Sequence, residues 1–227
     1  RNQRISLRYG NSFTLCYNLH SPMADFEKAL AAEIGNVLLT DVKIASIEDL
    51  PPYFKLDTTI KFSQDQIYIL MAQQCDGILG FVLASGYDSW LAITRPYIVT
   101  ENVLVSSDPD YKRLDDIPKS KPLGSRVGSD GDASLLAYLQ ALPKSTQWKR
   151  YAYFANDLLL NRIADGTVGA GVVWEPVLNL ATGGNPATQG LHRLTAPFAI
   201  RPTQVGIAVR ANDAYLKTAL DDATREL

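Results

Sequence analysis

Short apolar runs without helical spacing alternate along this chain with longer stretches whose apolar residues recur every three or four positions. Phe13-Thr14-Leu15-Cys16-Tyr17 reads as a first buried strand, followed by the turn Asn18-Leu19-His20. Ser21-Pro22 opens a helix, with Ser21 as N-cap and Pro22 at the first helical position. Met23, Phe26, Leu30, Ile34, Val37 and Leu38 form its predicted buried stripe, which leaves Asp25, Glu27, Lys28 and Glu33 mainly on the wet side. Asp41 to Ile47 is a second strand. Leu50 through Ile60 is a loop, because the adjacent Pro51 and Pro52 exclude a helix. Ser63 is placed to cap the next helix, with Ile67, Leu70 and Met71 toward the core. Gly77 to Val82 follows the polar turn Gln73-Gln74 and has the pattern of a strand covered on both faces.

The middle of the chain changes character. Gly86, Tyr87, Asp88 and Trp90 mix small, aromatic and polar residues at what should be the carboxyl end of the third strand, where open α/β sheets bind ligands. Asp76, just before that strand, reads as a turn residue. Arg95-Pro96-Tyr97 stops any helix, and Ile98 to Val105 reads as an extended crossover, braced by Arg95. A second alternating set then begins with the strand Leu123 to Val127. The loop Gly128 to Asp132 leads to a helix over Ala133 to Leu142. Tyr151 to Phe154 is a strand, Asn156 caps a helix carrying Leu159, Leu160 and Ile163, and Gly166 ends it. Val168 to Trp174 is a strand and Glu175-Pro176 starts a helix. Val205 to Arg210 is a late strand before a terminal helix with Leu216, Ala219, Leu220 and Ala223 on one face. A strand that late implies a return to the first lobe. The expected fold class is α/β, two doubly wound lobes joined by two crossover strands. Lobe 1 is 1–98 with 208–227, lobe 2 is 103–200, and the hinge lies at about 98–103 and 200–208.

Composition narrows the class without naming it. The chain has 227 residues, 46% hydrophobic and 20% charged, and a formal net charge of -2. There is no basic surface for nucleic acid and no apolar run approaching the roughly 18 residues of a membrane span. The opening Arg1-Asn2-Gln3-Arg4 carries no leader pattern. His20 and His192 are too scattered to complete a zinc cluster, and no metal or cofactor is expected. Two readings of Cys16 and Cys75 stay open: two buried thiols, or one disulfide between neighbouring strands.

Enzyme signatures are missing as well. No serine sits in a GxSxG elbow, no GK[ST] follows the glycines at 128 and 131, and the GTVGAG run at 166–171 lies inside a strand pattern. The expectation is a non-enzymatic binding protein.

CDGILGF after a helix, RPY before the crossover, GTVGAGVVWEP in the second lobe and VGIAVR before a terminal helix together carry a resemblance. In this order of elements the chain resembles the type II periplasmic solute-binding proteins, the amino-acid-binding sort in particular. Within that group, CDGILGFVLASGYDSWLAITRPYIVTENVLV is similar to a "CD, small-residue turn, L-x-x-TRPYY, V-x-V" pattern of the J accessory proteins, MxaJ and XoxJ, of pyrroloquinoline-quinone methanol dehydrogenases. Those proteins also carry a first-strand cysteine, matching Cys16. The resemblance thus implies a Cys16–Cys75 disulfide in an oxidising, periplasmic compartment, with a leader removed.

The departures from the amino-acid binders bear on the ligand. In that family an Arg after the third strand clamps the ligand carboxylate, and the matching position here is Tyr87. An Asp two residues before a proline pairs the ligand ammonium, and here that position is Trp174, in Trp174-Glu175-Pro176. The loop that would offer an anion a helix N-terminus carries Asp130 and Asp132. A free α-amino acid is therefore not the expected ligand. Tyr17, Phe81, Tyr87, Trp90 and Trp174 fall near predicted strand ends facing the cleft, with Tyr97 close to the mouth. Aromatics there suit an apolar ligand or a partner segment, or else pack the core beneath it. Asp88 and Glu175 are candidate hydrogen-bond acceptors. The implied partner is a dehydrogenase subunit in methylotrophic metabolism; the rival is a transport receptor for a small apolar or aromatic solute.

Overall fold

A computed structural model describes residues 12–47, 64–84 and 86–227. The sequence's Ser63 cap, its Leu50–Ile60 loop and its first residues lie outside that set. The chain falls into two compact units, one taking the chain up to Val99 with the return Gln204–Leu227, the other Thr100–Thr203.

In the first unit, β1 (Ser12–Tyr17), α1 (Ala24–Leu38), β2 (Asp41–Ser46), α2 (Gln64–Gln73) and β3 (Gly77–Val82) alternate, and then β4 (Leu91–Ile93) and β5 (Ile98–Thr100) follow. The late strand β11 (Thr203–Arg210) and its helix α6 (Ala214–Glu226) complete the unit. The sheet order is β2-β1-β3-β11-β4, with β5 also paired to β11. β1 runs parallel to β2 and β3, whereas β11 runs antiparallel to β3. Phe13, Leu15 and Tyr17 point to a core under α1 and α6 with Ile34, Leu216 and Leu220, while Cys16 points to the opposite core with Ile67, Leu70 and Met71. That alternation is the period-two signature of a strand covered on both faces.

The alternation fails once, in β3. Leu79 and Gly80 together face Ile207, between the pairs Phe81↔Gly206 and Ile78↔Ala208. This is a β-bulge, and Gly80 adopts φ 89°, where a side chain would be strained. Ile78 and Phe81 consequently share one core and Leu79 belongs to the other.

In the second unit, β6 (Asn102–Ser106), β7 (Leu123–Arg126), α3 (Asp130–Ala141), β8 (Arg150–Tyr153), α4 (Asn156–Ala164), β9 (Ala170–Trp174), α5 (Glu175–Thr182) and β10 (His192–Leu194) build a sheet of order β10-β6-β9-β7-β8. β7 is parallel to β8 and β9; β6 is antiparallel to β9 and β10. In the GTVGAG run Gly169 and Gly171 serve close packing, whereas Gly166 takes a positive φ of 75°. A Cβ on Gly171 would stand 2.6 Å from Ile163 Cδ1 of α4.

Several local expectations change. Ser21 does not cap α1: the N-cap position is Met23, without a side-chain cap, and the Ser21 hydroxyl accepts from the Met23 amide in the preceding turn. Asn156 is the first residue of α4 and Ala155 its cap position, so the Asn156 side chain is not the cap. α3 begins at Asp130, capped by Ser129, which places Asp130 and Asp132 inside its first turn instead of in a loop. β4 and β10, three residues each, were too short to show a period in the sequence.

The largest change is in α1. Its buried residues are Glu27, Ala31, Ile34 and Leu38, spaced four, three and four apart. Glu27 is 1% exposed and Phe26 44% exposed, the reverse of their expected places. The apolar residues of this helix nearly encircle it, so polarity alone did not orient its first turn.

Candidate functional site

In the first unit the candidate residues gather around β3 and its bulge. Tyr17 ends β1 and is buried in the α1–α6 core. Phe81 is buried with its ring centroid 6.2 Å from that of Tyr87. The Tyr87 hydroxyl donates to the Val82 carbonyl oxygen at 2.9 Å, and burial raises its pKa above the ordinary phenol value. At the position that the resemblance matches to an Arg of the amino-acid binders, this chain thus has a phenol bonded to its own strand. Asp88 is exposed and accepts from Trp90 Nε1 at 3.4 Å, while the Trp90 ring stands edge-on to Tyr68 at 5.3 Å.

Tyr97 turns inward. Its hydroxyl accepts from the Gly80 amide at 2.8 Å and donates to Glu27 Oε1 at 2.6 Å. Glu27 Oε2 is buried with no hydrogen-bond partner. Burial pushes the Glu27 carboxyl up to about 7, against the opposing pull of the Tyr97 hydrogen bond. Burial first, and then the Glu27 charge, hold the Tyr97 phenol well above its usual range.

Arg95 has an exposed side chain, and its backbone amide is held by Asp221 of α6 at 2.7 Å. Asp76, expected as a turn residue, is a cross-strand clamp. Its Oδ2 accepts from the Thr14 amide at 2.8 Å, and its Oδ1 pairs with Arg210 at 3.1 Å. Beside it Cys75 is bonded to Cys16, with the Cα atoms 5.8 Å apart. The disulfide therefore ties the end of α2 to β1.

In the second unit Asp130 and Trp174 belong to one network. Trp174 Nε1 donates to the Thr100 hydroxyl, which donates to the Thr203 carbonyl oxygen at 3.0 Å. The Thr203 hydroxyl donates to Asp130 Oδ2 at 2.8 Å and accepts from Asn102 Nδ2 at 3.0 Å. Arg201 is held at both ends of its backbone, its amide by the Ser134 hydroxyl and its carbonyl by Asn102. The two stretches of chain that enter and leave this unit are thus laced to each other and to the first turn of α3. Asp132, in the same first turn, accepts from the Ser125 hydroxyl, the Gly128 amide at 3.1 Å and the Arg150 guanidinium. Glu175 at the start of α5 accepts from Arg193.

Sequence reasoning missed Glu27, Asn102, Thr100, Thr203 and Arg150. None of them carried a signal in the sequence: Glu27 sits in a helix that apolar residues nearly encircle, and the partners of the others lie far away in sequence. Among the described residues no group of three or more His, Cys, Asp or Glu could hold a metal ion, and no helix is long and apolar enough to cross a membrane.

No protein-family model matches this chain, and no curated protein does. Solved structures do match. The arginine-bound form of truncated ArgBP from T. maritima is 20% identical, with 99% of each chain covered and a TM-score of 0.61. The periplasmic VFT2 domain of Bordetella pertussis BvgS is 16% identical, covering 100% of this chain and 92% of that one at a TM-score of 0.69. An amino acid ABC transporter substrate-binding protein from Streptococcus pneumoniae, bound to L-arginine, is 15% identical, covering 98% and 90% at a TM-score of 0.65. This chain shares the fold of the type II periplasmic binding proteins.

Proposed function

We propose that the chain is a non-enzymatic periplasmic binding protein that takes no free α-amino acid, and that it acts as an accessory to a quinoprotein alcohol dehydrogenase. One observation carries the first part. At the three places that the resemblance matches to the ligand contacts of amino-acid binders, the side chains here are already engaged within the chain. Tyr87 is spent on Val82, Trp174 on Thr100, and the first turn of α3 on Thr203 and Arg150 through Asp130 and Asp132. An α-amino acid would leave its two charges without partners, and burying an unpaired charge costs several kcal/mol. The disulfide agrees with an oxidising compartment. The dehydrogenase partner rests on the resemblance of the Cys75 to Val105 stretch to the J accessory proteins.

A second reading, a receptor for a small apolar or aromatic solute, is favoured by Tyr87, Trp90 and Trp174, all partly exposed in their own units. The decisive experiment pairs a pull-down from periplasmic extract with a thermal-shift panel that includes arginine. Capture of a quinoprotein dehydrogenase without a solute hit supports the accessory role. A large shift with an apolar solute and no captured partner supports the receptor. A large shift with arginine would overturn the argument from the engaged polar groups, since ligands that bind only the native state raise its melting temperature.

A further inference from the structure

Glu27 lies in the first turn of α1, four residues into a helix whose neighbouring stripe positions are Ala31, Ile34 and Leu38. A carboxyl in such a place is costly when ionised, and one of its oxygens has no partner. The other oxygen is bound by Tyr97, 70 positions away, whose hydroxyl also holds the amide of Gly80 in the β3 bulge. A Cβ on Gly80 would stand 3.3 Å from Glu27 Oε1, so the bulge glycine lets the strand approach the carboxyl closely. Tyr97 immediately precedes β5, and its own amide donates to the Val205 carbonyl oxygen of the return strand at 2.9 Å. The chain of contacts therefore runs from a buried acid, through one phenol, to the point where the polypeptide leaves the first unit.

We propose that Glu27, Tyr97 and Gly80 form a proton-operated anchor for the first crossing: neutral Glu27 keeps it closed, and ionised Glu27 draws in water, releasing Tyr97 and the start of β5 at Ile98. Among the described residues the charged groups on the elements around Glu27 do not supply a compensating cation: Arg210 of β11 pairs with Asp76, and Arg95, between β4 and β5, has an exposed side chain. α1 itself carries Asp25, Lys28 and Glu33, β2 carries Asp41 and Lys43, and β1 and β3 carry none. α6 carries Lys217, Asp221, Asp222, Arg225 and Glu226, with Lys217 paired to Asp221 and Arg225 to Asp222. Burial and the Tyr97 hydrogen bond are what set the carboxyl's affinity for its proton. An opening that wets Glu27 is then favoured progressively as pH rises through neutrality, and the open fraction grows about tenfold or more between pH 5.5 and pH 8.

Hydrogen exchange tests this on the intact chain. The reporters are the Gly80 and Tyr97 amides, with rates corrected for intrinsic pH dependence. Protection of both should fall about tenfold or more from pH 5.5 to pH 8 in the wild type. It should be flat with pH in Glu27→Gln, which imitates the neutral acid, while amides of the second unit stay unchanged in both. A flat wild-type profile, or an equal fall in Glu27→Gln, overturns the proposal. If Glu27→Gln does not fold, the carboxyl carbon resonance of Glu27 in the wild type decides: a midpoint near neutrality coinciding with the loss of protection supports the anchor, and a midpoint near an ordinary glutamate overturns it.

Discussion

Replacing Glu27 by glutamine should change not only how stable the protein is but how that stability varies with pH. The Glu27 carboxyl is raised from 4.5 to about 7 in the folded chain. The folded state therefore holds a proton that the unfolded state has released at every pH between those values. Stability drawn from Glu27 is fully present below about pH 4.5 and is lost as pH rises through 7. A pKa unit corresponds to about 1.4 kcal/mol, so the whole window is worth about 3 kcal/mol, of which about 2–3 kcal/mol falls between pH 5 and pH 8. Because the side chain is 1% exposed, solvent screening does not reduce that figure appreciably. The assay is urea unfolding of wild type and Glu27→Gln at pH 5, 6, 7 and 8, following the near-ultraviolet signal of the first unit. The wild type should lose stability relative to the variant as pH rises, with the difference of about 2–3 kcal/mol accumulating mostly below pH 7. A constant difference across the four pH values would mean that Glu27 titrates normally, and the account of its burial would be refuted.

Three further outcomes follow from single contacts. Reducing the Cys16–Cys75 bond, or the double change to serine, opens a loop with a separation of 59 residues; the entropic model puts the loss at about 4 kcal/mol, visible as an earlier unfolding midpoint of the first unit with and without reductant. Gly80→Ala places a side chain at φ 89° beside Glu27 Oε1; it should cost about 1–2 kcal/mol in chemical denaturation. Asp132→Ala removes the shared acceptor of Ser125, Gly128 and Arg150; a loss of about 2–4 kcal/mol is expected in the second unit, and a loss under about 1 kcal/mol would show that the three donors find water instead.

Much of this protein could be read along the chain because the information was local. Phe13 to Tyr17, Gly77 to Val82 and Val205 to Val209 are short, largely apolar runs without helical spacing, the pattern of a covered strand, and the helices between them carry a period near 3.6. A strand arriving after a complete second set of elements implied the return to the first unit, and β11 pairs antiparallel with β3 accordingly. The joining of Cys16 to Cys75 came through a family resemblance, since spacing alone left two readings open. What sequence could not supply was the rotation of α1 and the partners of its first turn. Glu27 and Phe26 are adjacent, both are compatible with a helix, and hydrophobicity ranks them in the wrong order. Only the arrival of Tyr97 and the close approach allowed by Gly80 make the buried place tolerable for a carboxyl. Likewise Asp130 and Trp174 looked like groups facing a ligand because each stands at a strand or helix end. Their engagement with Thr203 and Thr100 joins positions 73 and 74 apart, and long-range pairing leaves no period in a sequence. Local propensity determined the elements and most of their order; tertiary contact decided which polar groups were left for anything else to bind.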